Sequence, residues 1–214
     1  MPSIITHAAV PLALWCAADR GRIPPRLLVA GVIAAMLPDA DVLAFALHIP
    51  YADAFGHRGA SHSLLFAGVL AALAAALAFF GSRQPWSAQH SSGSRRPWSA
   101  VSCQPRLAPT KAGPTLASTV QAAVFVFVCA ASHPLLDAMT SGGLGVALAW
   151  PWSEQRFFAP WRPIRVSPFA PQFFSARGVA TLLSELRWVW LPLAGAVVAW
   201  KLIQPAPAAS RDPS

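Results

Sequence analysis

Charged residues are scarce in this 214-residue chain: Asp, Glu, Lys and Arg make up 11% of it, against roughly 25% in ordinary soluble domains. Hydrophobic residues make up 55%. A chain of this length cannot bury that much apolar surface in one core, whereas long uncharged runs are suited to lipid. The composition excludes an ordinary soluble domain and predicts an all-α, polytopic integral membrane protein.

Cysteine and acidic residues are also few. The three cysteines are odd in number and have no paired spacing, which excludes a disulfide framework and a thiolate metal site. Sixteen basic residues against eight acidic ones give a net charge of +8, which in a soluble chain would suggest nucleic acid. Here the basic residues lie in short connections between apolar runs, so we interpret them as topology signals and expect no nucleic-acid partner.

Five apolar runs divide the chain, at residues 4–18, 27–49, 63–80, 116–139 and 188–203. The third is uncharged and close to the roughly 20 residues needed to cross a bilayer, the first is short, and the second is interrupted by two aspartates. We therefore expect four to five transmembrane helices. Residues 1–80 hold the first three runs and residues 115–203 the others. Between them, residues 81–114 contain the near-duplicates SRQPWSA and SRRPWSA and predict a disordered linker, as residues 204–214 predict a disordered tail.

Polar side chains with metal-ligand chemistry stand out against this background. If the spans alternate in direction, all of them fall at one face of the membrane. A charged side chain at membrane depth costs at least about 2.5 kcal/mol on insertion scales unless it is paired, hydrated or bound to metal. The set is His7, Asp39, Asp41, His57, His62, His133 and Asp137.

The spacing within this set is compatible with chelation. His133 and Asp137 are four residues apart and share one face of a helix. Alternatively, because Pro134 disfavours helical geometry at His133, the histidine caps a short helix that begins at Pro134. Asp39 and Asp41 follow Pro38 and are two residues apart, so they act as a ligand and its neighbour or bridge two ions.

Two imidazoles flank a glycine turn in the segment HRGASHS, where His57 and His62 lie beside Arg58. Taken singly, each polar residue has a structural interpretation as well: His7 could be a hydrogen-bonded packing residue, and Asp39 could cap a helix or pair with an arginine. Convergence of seven such groups from four segments is what indicates a metal site at one membrane face. Nitrogen and oxygen ligands without cysteine suit Zn²⁺ best, with Mn²⁺ or Fe²⁺ as alternatives.

Several motifs in chain order resemble the YdjM-like family of inner-membrane proteins, classed as metal-dependent hydrolases. They are Thr6-His7, LPDAD at residues 37–41, HRGASHS at 57–63, and SHPLLD at 132–137 followed by Trp150-Pro151-Trp152. The family typically has Thr where Ser61 stands. The resemblance implies a multi-pass protein of the bacterial inner membrane with hydrolase activity that depends on a divalent metal, under LexA control in some members.

The predicted function is hydrolysis of a phosphoester or lipid-borne ester by a metal-activated water. The candidate metal ligands are His7, Asp39, His57, His62, His133 and Asp137. Asp41 is the candidate base or second-ion ligand, and Arg58 and Arg156 are candidate clamps for an anionic substrate, although Arg156 could instead anchor at lipid headgroups. The alternative is a divalent metal or proton transporter that uses the same cluster without reaction.

Overall fold

The computed structural model describes residues 1–19, 21–81, 115–168 and 172–204. The sequence predictions of a linker at residues 81–114 and a tail at 204–214 fall almost wholly outside these ranges and stay predictions. The described residues are helical and form no strands; only two isolated bridges occur, Thr140 with Ile164 and Val146 with Phe157. The expected all-α class is confirmed.

In the N-terminal region, short 3-10 helices precede the first α-helix and follow the second. A 3-10 helix at Ile4–Ala8 leads into α1 at Ala9–Ala17. Helix α2, at Pro25–Met36, starts on a proline, whose missing N–H is harmless in a first turn. A 3-10 helix at Leu37–Val42 and the short α3 at Leu43–Ala46 continue it. The two aspartates therefore lie in a 3-10 turn, and the helical segment continues past them.

Two long helices follow the loop of residues 47–59. A 3-10 turn at Ala60–His62 leads into α4 at Leu64–Gly81. Helix α5, at Leu116–Ala138, begins where the Thr115 side chain accepts a hydrogen bond from the Ser118 N–H, and Pro134 lies inside it. The first of the two interpretations of Pro134 is thus the observed one: His133 and Asp137 share one face of a continuous helix.

The last apolar segment is longer than the sequence suggested. Residues 176–203 form one continuous helix, in which α6 at Ala176–Glu185 passes through a π-helical turn at Leu186–Trp190 into α7 at Leu191–Ile203. A start at residue 188 was wrong by 12 residues, counted from Ala176 to Trp188. Arg177, Glu185 and Arg187 break the apolar run but not the helix, because helix formation does not require an uninterrupted apolar sequence.

Four helical segments are long and apolar enough to cross a membrane: Pro25–Ala46, Leu64–Gly81, Leu116–Ala138 and Ala176–Ile203. The helix at Ile4–Ala17 is apolar but shorter. Helix α5 packs against α2 and α4 around Ala34, Ala35, Ala67, Phe125 and Cys129. Small residues dominate this interface, as expected where helices approach closely in lipid. The prediction of four to five transmembrane helices is confirmed.

Candidate metal centre

The structure brings the predicted polar residues to one buried place at the ends of the helices. His7 comes from the first 3-10 helix, the two aspartates from the second, the HRGASHS residues from the loop before α4, and His133 with Asp137 from the end of α5. At most 4% of the surface of each candidate ligand is exposed. The expected convergence of four segments is therefore observed.

Four of these residues form a compact group, namely Asp39, His62, His133 and Asp137. One ligand atom from each lies within 4.8 Å of the other three. The Nε2 atoms of His62 and His133 are 3.0 Å apart, and His133 Nε2 is 3.4 Å from Asp39 Oδ1. His62 Nε2 is 3.3 Å from Asp137 Oδ2. A buried group of two imidazoles and two carboxylates with this spacing could hold a metal ion.

His7 lies at the edge of this group. Its Nε2 is 3.7 Å from Asp39 Oδ2 and 3.8 Å from Asp137 Oδ1, and its ring stacks on His133 with 3.7 Å between centroids. Both ring nitrogens of His7 and both carboxylate oxygens of Asp39 are buried without a hydrogen bond to any described residue. Buried polar atoms normally have partners, so His7 Nε2 and the Asp39 oxygens fit a cation placed among them.

A backbone carbonyl determines which nitrogen His133 presents to the group. Its Nδ1 lies 2.7 Å from the carbonyl oxygen of Ala35, where a neutral ring donates its N–H and keeps the Nε2 lone pair free. Pro38, three residues after Ala35, has no N–H to donate to that carbonyl in the 3-10 turn that follows α2.

His62 is held from behind by Asp41. Its Nδ1 lies 3.0 Å from Asp41 Oδ2 and 3.0 Å from the Ser61 hydroxyl, which leaves Nε2 facing the group. Burial by itself would lower the pKa of His62, but hydrogen bonds with Asp137 and Asp41 outweigh it and raise the pKa to about 9. The surrounding carboxylates thus favour positive charge at this position, and a metal ion must compete with a proton for Nε2.

Asp41, the candidate base, has its oxygens occupied. Oδ1 is 2.5 Å from His57 Nδ1, and Oδ2 accepts hydrogen bonds from the Arg58 N–H at 2.9 Å and the Ser61 hydroxyl at 2.7 Å. This geometry makes Asp41 an orienting residue for His57 and His62. Its role as a base stays a prediction.

His57 does not join the group of four. Its ring lies among aromatic side chains, with centroids 5.2 Å from Tyr51 and 5.5 Å from Phe45, and its Nδ1 faces Asp41. The turn that separates it from His62 depends on Gly59, where a Cβ would overlap the carbonyl oxygen of Ala54. His57 is therefore a neighbour of the candidate centre, and its role as a ligand stays a prediction.

Arg58 is committed to the protein interior. Only 1% of its surface is exposed, and its backbone adopts a positive φ of 63°. Nε lies 2.9 Å from Asp137 Oδ2, and the two terminal nitrogens donate to the Gly142 carbonyl at 3.0 Å and the Thr140 hydroxyl at 3.2 Å. The guanidinium balances the charge of Asp137 and ties it to the loop after α5, and its role as a clamp for substrate stays a prediction.

Arg156 braces the loop that carries His57. Its terminal nitrogens donate to the backbone carbonyls of His57 at 3.1 Å, Tyr51 at 3.0 Å and Asp53 at 3.1 Å. Its roles as a substrate clamp or a headgroup anchor stay predictions.

Sequence reasoning missed one buried acidic residue. Glu185 is 1% exposed and accepts hydrogen bonds from Ser3 and Thr6, next to His7. The sequence did indicate it, because Glu185 is the single acidic residue within residues 176–203. It was overlooked because the last apolar run was taken to begin at residue 188.

Comparison with known proteins agrees with the membrane assignment. The family described as YdjM inner membrane protein matches residues 1–208. Inner membrane protein YbcI of Escherichia coli (strain K12) is 44% identical over 193 residues, which cover 90% of this chain and 92% of that protein. No solved structure matches the chain. The resemblance seen in the sequence motifs and the inner-membrane localisation are both confirmed.

Proposed function

Because the chain belongs to the YdjM inner membrane protein family and buries a His/Asp group at one end of its helices, we propose that it is a membrane-bound, metal-dependent hydrolase. The observation that carries the proposal is the group of Asp39, His62, His133 and Asp137, with His7 at its edge. Two carboxylates taken out of water are strongly unfavourable unless nearby positive charge compensates them. Of these two carboxylates, the Arg58 guanidinium contacts only Asp137, so a bound cation would compensate Asp39.

The donor set indicates the class of metal. It consists of imidazole nitrogens and carboxylate oxygens, and cysteine is absent from the group. These ligands suit Zn²⁺ first, and Mn²⁺ or Fe²⁺ next. When bound, such an ion supplies a Lewis acid for an ester or phosphoester oxygen and lowers the pKa of water towards about 7.

The chain's own residues prepare the site for that chemistry. Asp41 and the Ala35 carbonyl fix the rings of His62 and His133, so that both Nε2 atoms face the same point. Arg58 holds Asp137 at its Oδ2 and leaves Oδ1 directed towards His7. Outer partners of this kind raise metal affinity by preventing the ligands from turning away.

An apolar cavity beside the group supports a lipid-like substrate. It has a volume of about 330 Å³ and reaches Asp41 and Ser61, the two side chains that contact His62 from behind. The remaining lining is apolar: Leu37, Pro38, Ala40, Phe55, Ala60 and Phe66. An amphiphile with an ester or phosphoester next to an acyl chain has the matching pattern of polarity. Membrane lipid is therefore the proposed partner and the source of the substrate.

The first experiment measures metal content and turnover together. Protein purified in detergent should contain Zn, Mn or Fe by elemental analysis and should hydrolyse phosphoester or lipid-ester probes. His62→Ala should abolish both, whereas His48→Ala, at an exposed loop position, should change neither. Metal-free protein that gains no thermal stability with Zn²⁺ or Mn²⁺ would overturn the proposal.

A liposome assay separates hydrolysis from transport. A transporter would move metal across liposomes and leave every probe intact, and His62→Ala would abolish its uptake. Transport requires access from both sides of the membrane, but His62 precedes α4 and His133 and Asp137 lie in the last turns of α5, which favours the enzyme.

A further inference from the structure

Glu185 is an unusual residue for its surroundings. It is the single acidic residue in the 28-residue helical segment Ala176–Ile203, and 1% of its surface is exposed. A carboxylate in such a position is expected to have a function or a strong partner. The candidate metal centre described above does not include it.

Among the described residues, the donors to this carboxylate all belong to the N-terminal segment. Oε1 accepts from the Ser3 N–H at 2.5 Å, and Oε2 accepts from the Ser3 hydroxyl at 2.5 Å and from the Thr6 hydroxyl at 2.7 Å. All three donors are neutral groups within four consecutive residues. The carboxylate therefore fixes both ends of the turn that immediately precedes His7.

The local helix geometry is adapted to this contact. The π-helical turn Leu186–Trp190 begins directly after Glu185, and hydrogen bonding in a π-turn joins residues five apart. Glu185 and Trp190 are five apart and both reach Thr6, whose hydroxyl donates to Glu185 and accepts from the indole N–H of Trp190 at 3.1 Å. A regular α-helix would direct residues at this spacing to different faces.

His7 needs such support because neither of its ring nitrogens is hydrogen-bonded to a described residue. His62 and His133 are each held at Nδ1 by an acceptor. The position of His7 depends instead on its backbone and on stacking against His133. The backbone on its N-terminal side is the turn held by Glu185.

We propose that Glu185 is a positioning residue that sets His7 against the Asp39 and Asp137 carboxylates, through Ser3 and Thr6. This inference rests on the proposed function in one respect, namely that His7 contributes to metal binding. Trp190 is the second part of the same device, since its indole orients the Thr6 hydroxyl towards Glu185. The device couples the last membrane helix to the metal centre.

The test compares Glu185→Ala with Glu185→Gln in the full chain. Alanine removes all three acceptor contacts, whereas glutamine keeps one oxygen for the Ser3 N–H and places its amide against hydroxyls that can accept. Co²⁺ titration in detergent should give about tenfold weaker binding for Glu185→Ala, the lower end of the loss when an outer partner of a ligand is removed. Glu185→Gln should restore binding to near that of the unmodified protein, and Glu154→Ala, at an exposed site, should have no effect.

A second readout does not depend on metal. In histidine-labelled protein, the His7 ring resonance, identified by its loss in His7→Ala, should shift or broaden in Glu185→Ala and recover in Glu185→Gln. Thr6→Val keeps the side-chain shape and removes the hydroxyl that donates to Glu185. It should therefore change the His7 resonance in the same way as Glu185→Ala. It also serves as the test variant if Glu185→Ala does not fold.

The outcomes separate the two proposals. If the unmodified protein binds no metal, the proposed function fails, and the His7 resonance alone decides the role of Glu185. If Glu185→Ala or Thr6→Val lowers the melting temperature but leaves Co²⁺ affinity and the His7 resonance unchanged, Glu185 is only a structural anchor and the positioning role is overturned.

Discussion

The middle and the C-terminal end of α5 are both buried, but with opposite chemistry. Towards its middle, Phe125 and Cys129 pack on Ala34 and Ala35 of α2. In its last turns, His133 and Asp137 meet other ionisable side chains. A substitution at an apolar contact creates a cavity or a steric clash, and its effect on stability is local. Losing one partner of a buried ion pair leaves an uncompensated charge, which is the larger penalty.

The largest expected effect is at the polar end. Asp137→Leu strands the buried Arg58 guanidinium, so the free energy of unfolding should fall by about 3–5 kcal/mol. Unfolding in mixed detergent micelles measures it. The double variant Arg58→Met/Asp137→Leu removes both charges and should recover most of that loss while remaining unable to bind metal normally. A double variant as unstable as the single one would show that the pair is not the cause.

A smaller effect is expected at the apolar contact. Gly31 faces the ring of Phe125, where a Cβ would overlap the ring and lie 3.0 Å from Cys129 Sγ. Gly31→Ala should therefore destabilise the protein by about 1–3 kcal/mol through overpacking, with metal content per folded molecule unchanged. The matched control is Gly68→Ala in α4, where a Cβ meets nothing within 4 Å. Equal melting temperatures for the two variants would contradict this packing.

The next effect concerns affinity more than stability. The Asp41 side chain holds His57 and His62. Asp41→Asn replaces one of its acceptor oxygens by an NH₂ donor, so metal affinity should drop by about tenfold while the fold persists. Isothermal titration with Zn²⁺ measures the change, with Asp53→Asn as the control at an exposed loop position. An unchanged affinity would show that Asp41 does not orient the ligands.

The smallest effect is expected from the low-complexity sequence before α5. Deleting residues 82–112 should leave folding and metal content unchanged, because the segment has little apolar content and joins two spans on the side away from the ligands. Loss of either property would mean that the segment contributes to one end of α5.

The sequence predicted the helices and the convergence of ligands for one physical reason. In a chain with so few charges, apolar runs locate the spans, and polar side chains at their ends must meet each other to be tolerated in the membrane. The ranges of the third and fourth runs agree with α4 and α5 to within one residue at each end. Thr6-His7, LPDAD and the HRGASHS block all contribute side chains that the structure brings into or next to the group of four.

The roles of the individual residues in the site could not be predicted from residue types. Asp39 and Asp41 are two residues apart, yet one faces the group of four and the other turns to His57 and Ser61. Arg58 was predicted to clamp an anionic substrate, and its contact with the protein's own Asp137 was not indicated by residue type. Glu185 was missed because its importance arises from a contact 179 residues away in the chain.

Pro38, which follows α2, affects more than the backbone conformation. Pro38 carries no N–H and so donates nothing to the Ala35 carbonyl in a 3-10 turn, and that oxygen accepts a hydrogen bond from a histidine on another helix. A residue without any ionisable or ligating atom thereby stands next to the contact that orients the His133 ring. An inventory of chemically reactive side chains would omit this position.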